Sequence, residues 1–145
     1  PPAIMKRHIR PALSWKCRVS LVKSIAKGTK LSYGQTYTAK RTMRVATLTA
    51  GYGDGYHYSA QREARVLIGG RLCPILGLIT MDQMIVDVSR VKTTKTGDEV
   101  VLIGKQGKHN ITANQLAKWA NTIPCEILTA IAYRVPRVYR GGQAA

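Results

Sequence analysis

The sequence predicts a mainly β domain, a closed or partly closed β-barrel or sandwich with one or two short helices near the C-terminus. Three observations carry this. Short apolar runs with strand periodicity recur along the chain, turn residues separate them, and the one clear helix signature comes late, at residues 112–120. Residues 1–145 read as one domain, since domains commonly run ~100–150 residues.

Each element has its own signature. Leu13, Trp15, Cys17, Val19 and Leu21 alternate with Ser14, Lys16, Arg18 and Ser20, the period-two pattern of a half-buried strand. Ala26-Lys27-Gly28-Thr29 reads as a turn, and Met43 to Thr49 as a second strand that stops at Gly51. Residues 51–60 are turn-rich, with Gly51, Gly53, Asp54 and Gly55 interleaved with Tyr52, Tyr56 and Tyr58. Val66-Leu67-Ile68 and Leu72 to Leu76 flank Gly69-Gly70, which suggests a hairpin. Met84 to Val88 and Glu99 to Ile103 are further strands, the second introduced by Thr96-Gly97-Asp98. Thr112 can cap a helix over Ala113 to Ala120, with Gln115 three residues on and Ile111 placed to staple against Leu116. Pro124 suits the first position of a second helical turn through Leu128. Arg134 to Tyr139 reads as a last strand, interrupted by Pro136.

Composition narrows the class. At 45% hydrophobic and 21% charged residues the chain is globular rather than disordered. No apolar run approaches the ~20 residues of a membrane helix, and Pro1-Pro2-Ala3-Ile4-Met5-Lys6-Arg7 has no hydrophobic signal core. Cys17, Cys73 and Cys125 show no Cys-x-x-Cys spacing, which argues against a disulfide scaffold or zinc knuckle and for a reducing, cytoplasmic setting. Charge is the unusual quantity. Lys and Arg number 23 against seven Asp and Glu, a net +16, and residues 1–45 hold eleven Lys/Arg and no acid. That balance fits either an anionic partner, such as nucleic acid, phosphates or an acidic protein surface, or a well-solvated basic surface.

Most catalytic constellations are missing from the sequence. His8, His57 and His109 fall into no Ser/His/Asp or metal-ligand spacing, and His109 reads as a loop residue. Gly51-Tyr52-Gly53-Asp54-Gly55 lacks the Lys-Ser/Thr ending and the following helix of a phosphate loop. Tyrosine stands out instead. Tyr33 and Tyr37 flank Gly34-Gln35-Thr36, and three more tyrosines crowd the glycine loop. Such tyrosines either shape turns by packing or serve as acid and base. The second role needs stabilisation of phenolate, for which Lys16, Arg18, Lys40 and Arg41 are candidates.

Six ordered segments give these tyrosines a context. Leu31-Ser32-Tyr33-Gly34-Gln35-Thr36-Tyr37 resembles the Tyr-Gly-x-x-Tyr segment of alanine racemases, and Gly51 to Tyr56 their Gly-Tyr-Ala-Asp-Gly-Tyr loop, with Gly53 for the alanine. Met81-Asp82-Gln83 is similar to their Met-Asp segment, and Tyr133-Arg134-Val135-Pro136-Arg137 to their terminal Arg-Val-Pro-Arg. Pro11 to Ser14 and Ile111 to Leu116 fall in the same order, so the resemblance runs from about Arg10 to Tyr139. Two further positions depart from it: Thr80 stands where many members have cysteine, and Leu78 where some have arginine.

The resemblance is to the C-terminal β-domain only. It implies a partner N-terminal (β/α)8 barrel carrying the lysine that anchors pyridoxal phosphate, so the chain by itself is expected to be inactive. It also implies a homodimer that interconverts L- and D-alanine for peptidoglycan precursors. Tyr33 then corresponds to the base that takes the Cα proton of L-alanine, acting in the partner subunit's active site. Tyr52 corresponds to a residue that narrows substrate access, Met81 to one whose backbone N–H binds the substrate carboxylate, and Asp82 to a neighbouring acid that organises the access region. Tyr133 corresponds to a phenol that hydrogen-bonds the cofactor phosphate in its own subunit, and no metal is implied. The alternative is a basic domain of the same ancestry reused to bind nucleic acid. The intact tyrosine set favours the enzyme, because RNA binding gives no physical reason to keep it.

Overall fold

The computed structural model describes residues 11–140, so His8 and Arg10 lie outside the described residues. The first strand, β1, runs from Trp15 to Ile25. Its first half pairs with β8 (Glu99–Gln106) and its second with β4 (Met43–Leu48), both antiparallel. Trp15 and Val19 are buried as the alternation predicts, but Leu21 is 48% exposed. The register against β4 shifts between Val19 and Leu21, and one extra residue there reverses the face presented by every later side chain. A bulge therefore corrects the simple alternation.

From β1 the sheet spreads both ways. The strand order is β6–β5–β8–β1–β4–β7, where β5 is Arg65–Ile68, β6 Arg71–Pro74 and β7 Met84–Asp87. All these pairs are antiparallel. Beyond β6 the chain returns to β7 through a bridge between Ile75 and Val86, with Leu76 N–H donating to the Ile85 carbonyl at 2.8 Å. The path comes back on itself at that point, so the barrel is partly closed. Gly69 and Gly70 both have positive φ, 54° and 72°, the two-residue turn whose twist matches a hairpin.

Two elements depart from the sequence reading. His109 lies in a strand, β9 (His109–Ile111), that folds back on β8 around Gly107. Arg134 to Tyr139 forms no strand; a turn at residues 133–135 is followed by irregular chain. Pro136 has no N–H to give a ladder, and the Arg137 guanidinium donates to the carbonyls of Ile131, Ala132 and Val135 that turn the chain. β2 (Lys30–Leu31) and β3 (Tyr37–Thr38) form a separate small arm.

Helix α1 (Ala113–Ala120) begins as the sequence predicts, with Thr112 Oγ1 accepting from Gln115 N–H at 3.1 Å. Ile111 packs with Leu67, Val101 and Trp119, while Leu116 sits in the main core. Helix α2 (Pro124–Ala130) places proline in its first turn and buries Ile127. The main core joins Val19, Leu48, Tyr56, Ile79, Leu102, Leu116 and Ile127, and a second cluster of Ile25, Leu31, Ala39, Met43, Val45 and Leu76 lies under the β2–β3 arm.

The three cysteines are free thiols in three different settings. Burial, then the charge of Asp54, pushes the Cys17 thiol up to about 12. Burial, then Asp87, pushes Cys73 up to about 11. A raised thiol pKa disfavours the nucleophilic thiolate, so at pH 8 only about one Cys17 in ten thousand is ionised. Cys125 is exposed on α2. Brief iodoacetamide treatment of the folded chain at pH 8 should therefore add one label, at Cys125. Peptide mass spectrometry showing Cys17 or Cys73 labelled as fast would contradict these settings.

Candidate active site

The site is built where three loops meet. The first is the tight turn at Tyr52–Asp54, closed by Gly55 at φ 97°. A Cβ at Gly55 would lie 2.1 Å from the Ala130 carbonyl oxygen, so only glycine fits this conformation against the end of α2. The second is the loop at Thr80–Gln83, whose Thr80 N–H and Oγ1 donate to the Gln83 carbonyl. The third is the turn at Tyr133–Val135.

Backbone bonds fix the first loop on the second. Tyr52 N–H donates to the Thr80 carbonyl at 3.0 Å, and Gly53 N–H to the Met81 carbonyl at 2.7 Å. A trans peptide points its N–H opposite to its C=O. Holding the Thr80 carbonyl against Tyr52 therefore turns the Met81 N–H away from the glycine loop. That N–H has no acceptor among the described residues. A side chain at Gly51 would lie 2.2 Å from the Thr80 oxygen, so this approach also requires glycine.

Arg134 joins all three loops. Its Nε donates to Asp54 at 2.9 Å and its Nη2 to Asp82 at 2.7 Å. Asp54 also accepts from Gly51 N–H at 2.9 Å, and its own carbonyl accepts from Ala132 N–H. Asp54 and Arg134 are the residues that sequence reasoning missed. The signal was available: two of only seven acids fall in motif loops, and an arginine stands beside Tyr133.

Tyr33 reaches this region by a different route. It lies in a short turn, Tyr33–Gln35, between β2 and β3. Ser32 has φ 68° and ψ 176°, a conformation that ordinary residues adopt only under constraint. The constraint is visible. Ser32 Oγ donates to the Leu78 carbonyl and accepts from Leu78 N–H, each at 2.9 Å. Gly77 leaves the room, since a Cβ there would lie 2.6 Å from Ser32 Cβ. The Tyr33 turn is thus fastened three residues before Met81.

The structure brings Tyr52, Met81, Asp82 and Tyr133 together through direct bonds of their own or neighbouring backbone and side chains, and ties Tyr33 to the same loop. All five are exposed. Tyr33 is 56% exposed, Met81 46% and Tyr133 97%, although the core beside them is fully packed. Tyr52 meets Tyr58 edge-on at 6.2 Å beside a shallow depression of about 230 Å³, which Tyr33, Met81 and Tyr133 do not line. Of the cations considered as phenolate partners, Lys16 pairs with Glu99, Arg41 with Asp87, and Arg18 donates to the Gly97 carbonyl. Those three are engaged with partners other than Tyr33.

Residues 12–139 match the family model described as "Alanine racemase, C-terminal domain". An alanine racemase of Symbiobacterium thermophilum is 52% identical over 137 residues, which cover 94% of this chain and 36% of that protein. One of Methylacidiphilum infernorum is 46% identical over 140 residues, covering 97% and 36%. Among solved structures, alanine racemase from D-cycloserine producing Streptomyces lavendulae superposes with a TM-score of 0.89 at 37% identity, over 95% of this chain and 36% of that one. The Bacillus anthracis enzyme, with bound L-Ala-P, gives 0.85 at 34% identity, over 98% and 38%. The chain thus spans about a third of the length of these relatives, and it belongs to the alanine racemase family as that family's C-terminal domain.

Proposed function

We propose that this chain is the β-domain of a pyridoxal-phosphate alanine racemase that interconverts L- and D-alanine as a homodimer. The observation that carries the reading is the Met81 backbone: the Thr80 and Met81 carbonyls accept from Tyr52 and Gly53 N–H, and the Met81 N–H is left unpaired among the described residues on an exposed face. A donor oriented in this way suits a substrate carboxylate.

Pyridoxal phosphate, when bound, supplies the electron sink that makes the Cα proton removable. This chain's residues fit a supporting contact to it. The Tyr133 phenol is exposed and unpaired among the described residues, so it can donate to a phosphate oxygen. The relatives' length implies an N-terminal domain, and the family resemblance makes it a (β/α)8 barrel that holds the covalent anchor. Met81 N–H receives the alanine carboxylate, Tyr52 narrows access, and Asp82 holds the access loop. Tyr33 takes the proton from Cα of L-alanine on one face. A lysine of the barrel works on the other, because inversion requires a proton removed from one side and returned from the opposite side. Tyr33, Tyr52, Met81 and Asp82 serve the partner subunit's site, and Tyr133 its own.

The test joins the chain to a barrel domain from a relative and measures D-alanine formed from L-alanine by chiral chromatography. The chain alone should give none. A cofactor-loaded fusion that folds as a dimer and leaves alanine untouched would overturn the reading.

A further inference from the structure

The Arg134 guanidinium is planar and donates from two of its nitrogens: Nε to Asp54 in the glycine loop and Nη2 to Asp82 in the Met81 loop. Asp54 is held from elsewhere as well, whereas Arg134 is the one side-chain partner of Asp82 among the described residues. Asp54 accepts the Gly51 N–H, and Asp82 directly follows Met81. Arg134 itself stands on the turn that carries Tyr133, and the Ala132 N–H ties that turn to the Asp54 carbonyl. The arrangement is a three-way joint. Its members are the loop bearing Tyr52, the loop bearing Met81 and the turn bearing Tyr133.

The joint sits on a partly exposed surface. Arg134 is 43% exposed at its side chain, Asp54 17% and Asp82 61%. Exposed ion pairs contribute little to folding stability. A contribution to position is another matter: the bonds from Tyr52 and Gly53 hold the Thr80 and Met81 carbonyls and turn the Met81 N–H outward, and the Thr80–Gln83 bonds close the loop, which leaves tilting of the Met81 peptide about those anchors. Rotation of the loop about those anchors is limited by the next side chain along, Asp82, and Arg134 holds it. Gly53 leaves space for this. A Cβ there would lie 2.6 Å from Arg134 Nη2 and 2.9 Å from the Met81 oxygen.

We propose that Arg134 is a positioning residue that aims the Met81 N–H at the substrate carboxylate by clamping Asp54 and Asp82 together. The proposal rests on the racemase reading above. It assigns Arg134 no contact with substrate, cofactor or the transferred proton. The hydrogen bonds to Asp82 and Asp54 push the arginine pKa further up, so its charge does not vary across the working pH range. A pH profile would therefore stay unchanged, and the effect belongs to binding.

The measurement uses the full-length, cofactor-loaded racemase that contains this chain. Its readouts are KM and kcat for L-alanine and the competitive Ki of propionate, a carboxylate without the amine. Losing a well-aimed donor to a charged group costs about tenfold or more in affinity. Arg134→Gln should raise KM and the propionate Ki together by about that factor, with kcat within a few-fold of wild type. Arg134→Lys should recover part of the loss only, since an ammonium does not reproduce a planar fork to two carboxylates. If Arg134→Gln does not fold, Asp82→Ala removes one arm and should move the propionate Ki the same way by a smaller factor. An unchanged propionate Ki in the folded variants, or a fall in kcat with KM and Ki unchanged, overturns the proposal. Failure of the wild-type protein to racemise alanine would be a different result, removing the functional reading before Arg134 is measured.

Discussion

In the full-length racemase, Tyr33→Phe should lower the rate of proton removal from L-alanine by at least about a hundredfold, because one positioned base contributes ~10²–10⁴-fold. The substitution removes only a hydroxyl. The ring is already more than half exposed, and the turn that carries it is held by Ser32 and Leu78 rather than by the phenol. Folding and cofactor retention should stay near wild type. The decisive readout is solvent deuterium exchange at Cα, started separately from each enantiomer. Exchange from L-alanine should collapse, while exchange from D-alanine, which uses the lysine on the opposite face, should persist. Wild-type exchange from L-alanine in the variant would remove Tyr33 from the role of base.

Gly55→Ala should be the most damaging small substitution to the domain. Two costs add at that position. The backbone is in the left-handed region at φ 97°, where a Cβ costs roughly 1–2 kcal/mol. The new methyl would also meet the Ala130 carbonyl oxygen at 2.1 Å and Ile131 Cα at 2.7 Å, both backbone. Overpacking of that kind costs typically ~1–3 kcal/mol. A combined loss of roughly 3 kcal/mol should lower the melting temperature by about 10 °C. Gly28→Ala is the control, since φ there is 88° but nothing lies within 4 Å. It should show the conformational cost alone. Equal melting temperatures for the two variants would mean that the glycine loop and the end of α2 are not in contact.

The local elements were legible because each rests on short-range physics. Thr112 and Gln115 mark a helix start by one hydrogen bond three residues apart. Gly69-Gly70 marks a hairpin because both residues must take positive φ. The motif residues Tyr33, Tyr52, Met81, Asp82 and Tyr133 stood out by their order and their neighbours, and with them the family.

Other features were invisible until the chain was folded. The bulge after Val19 lies within the pairing with β4, where Val19 faces Leu48 and Leu21 faces Thr47, an extra residue that no alternation encodes. The terminal run from Arg134 to Tyr139 has strand composition but no partner edge, and Arg137 uses the carbonyls that a ladder would need. Most of the site is of this second kind. Sequence by itself determined the fold class, most of its elements and the family, since these follow from periodicity, turn conformation and motif order. Only the tertiary structure decided that Met81 presents an N–H with no acceptor among the described residues and that Arg134 bridges Asp54 to Asp82 across 80 and 52 residues of chain. Those contacts depend on backbone approach at Gly51, Gly53 and Gly55, and distance along the chain carries no information about it.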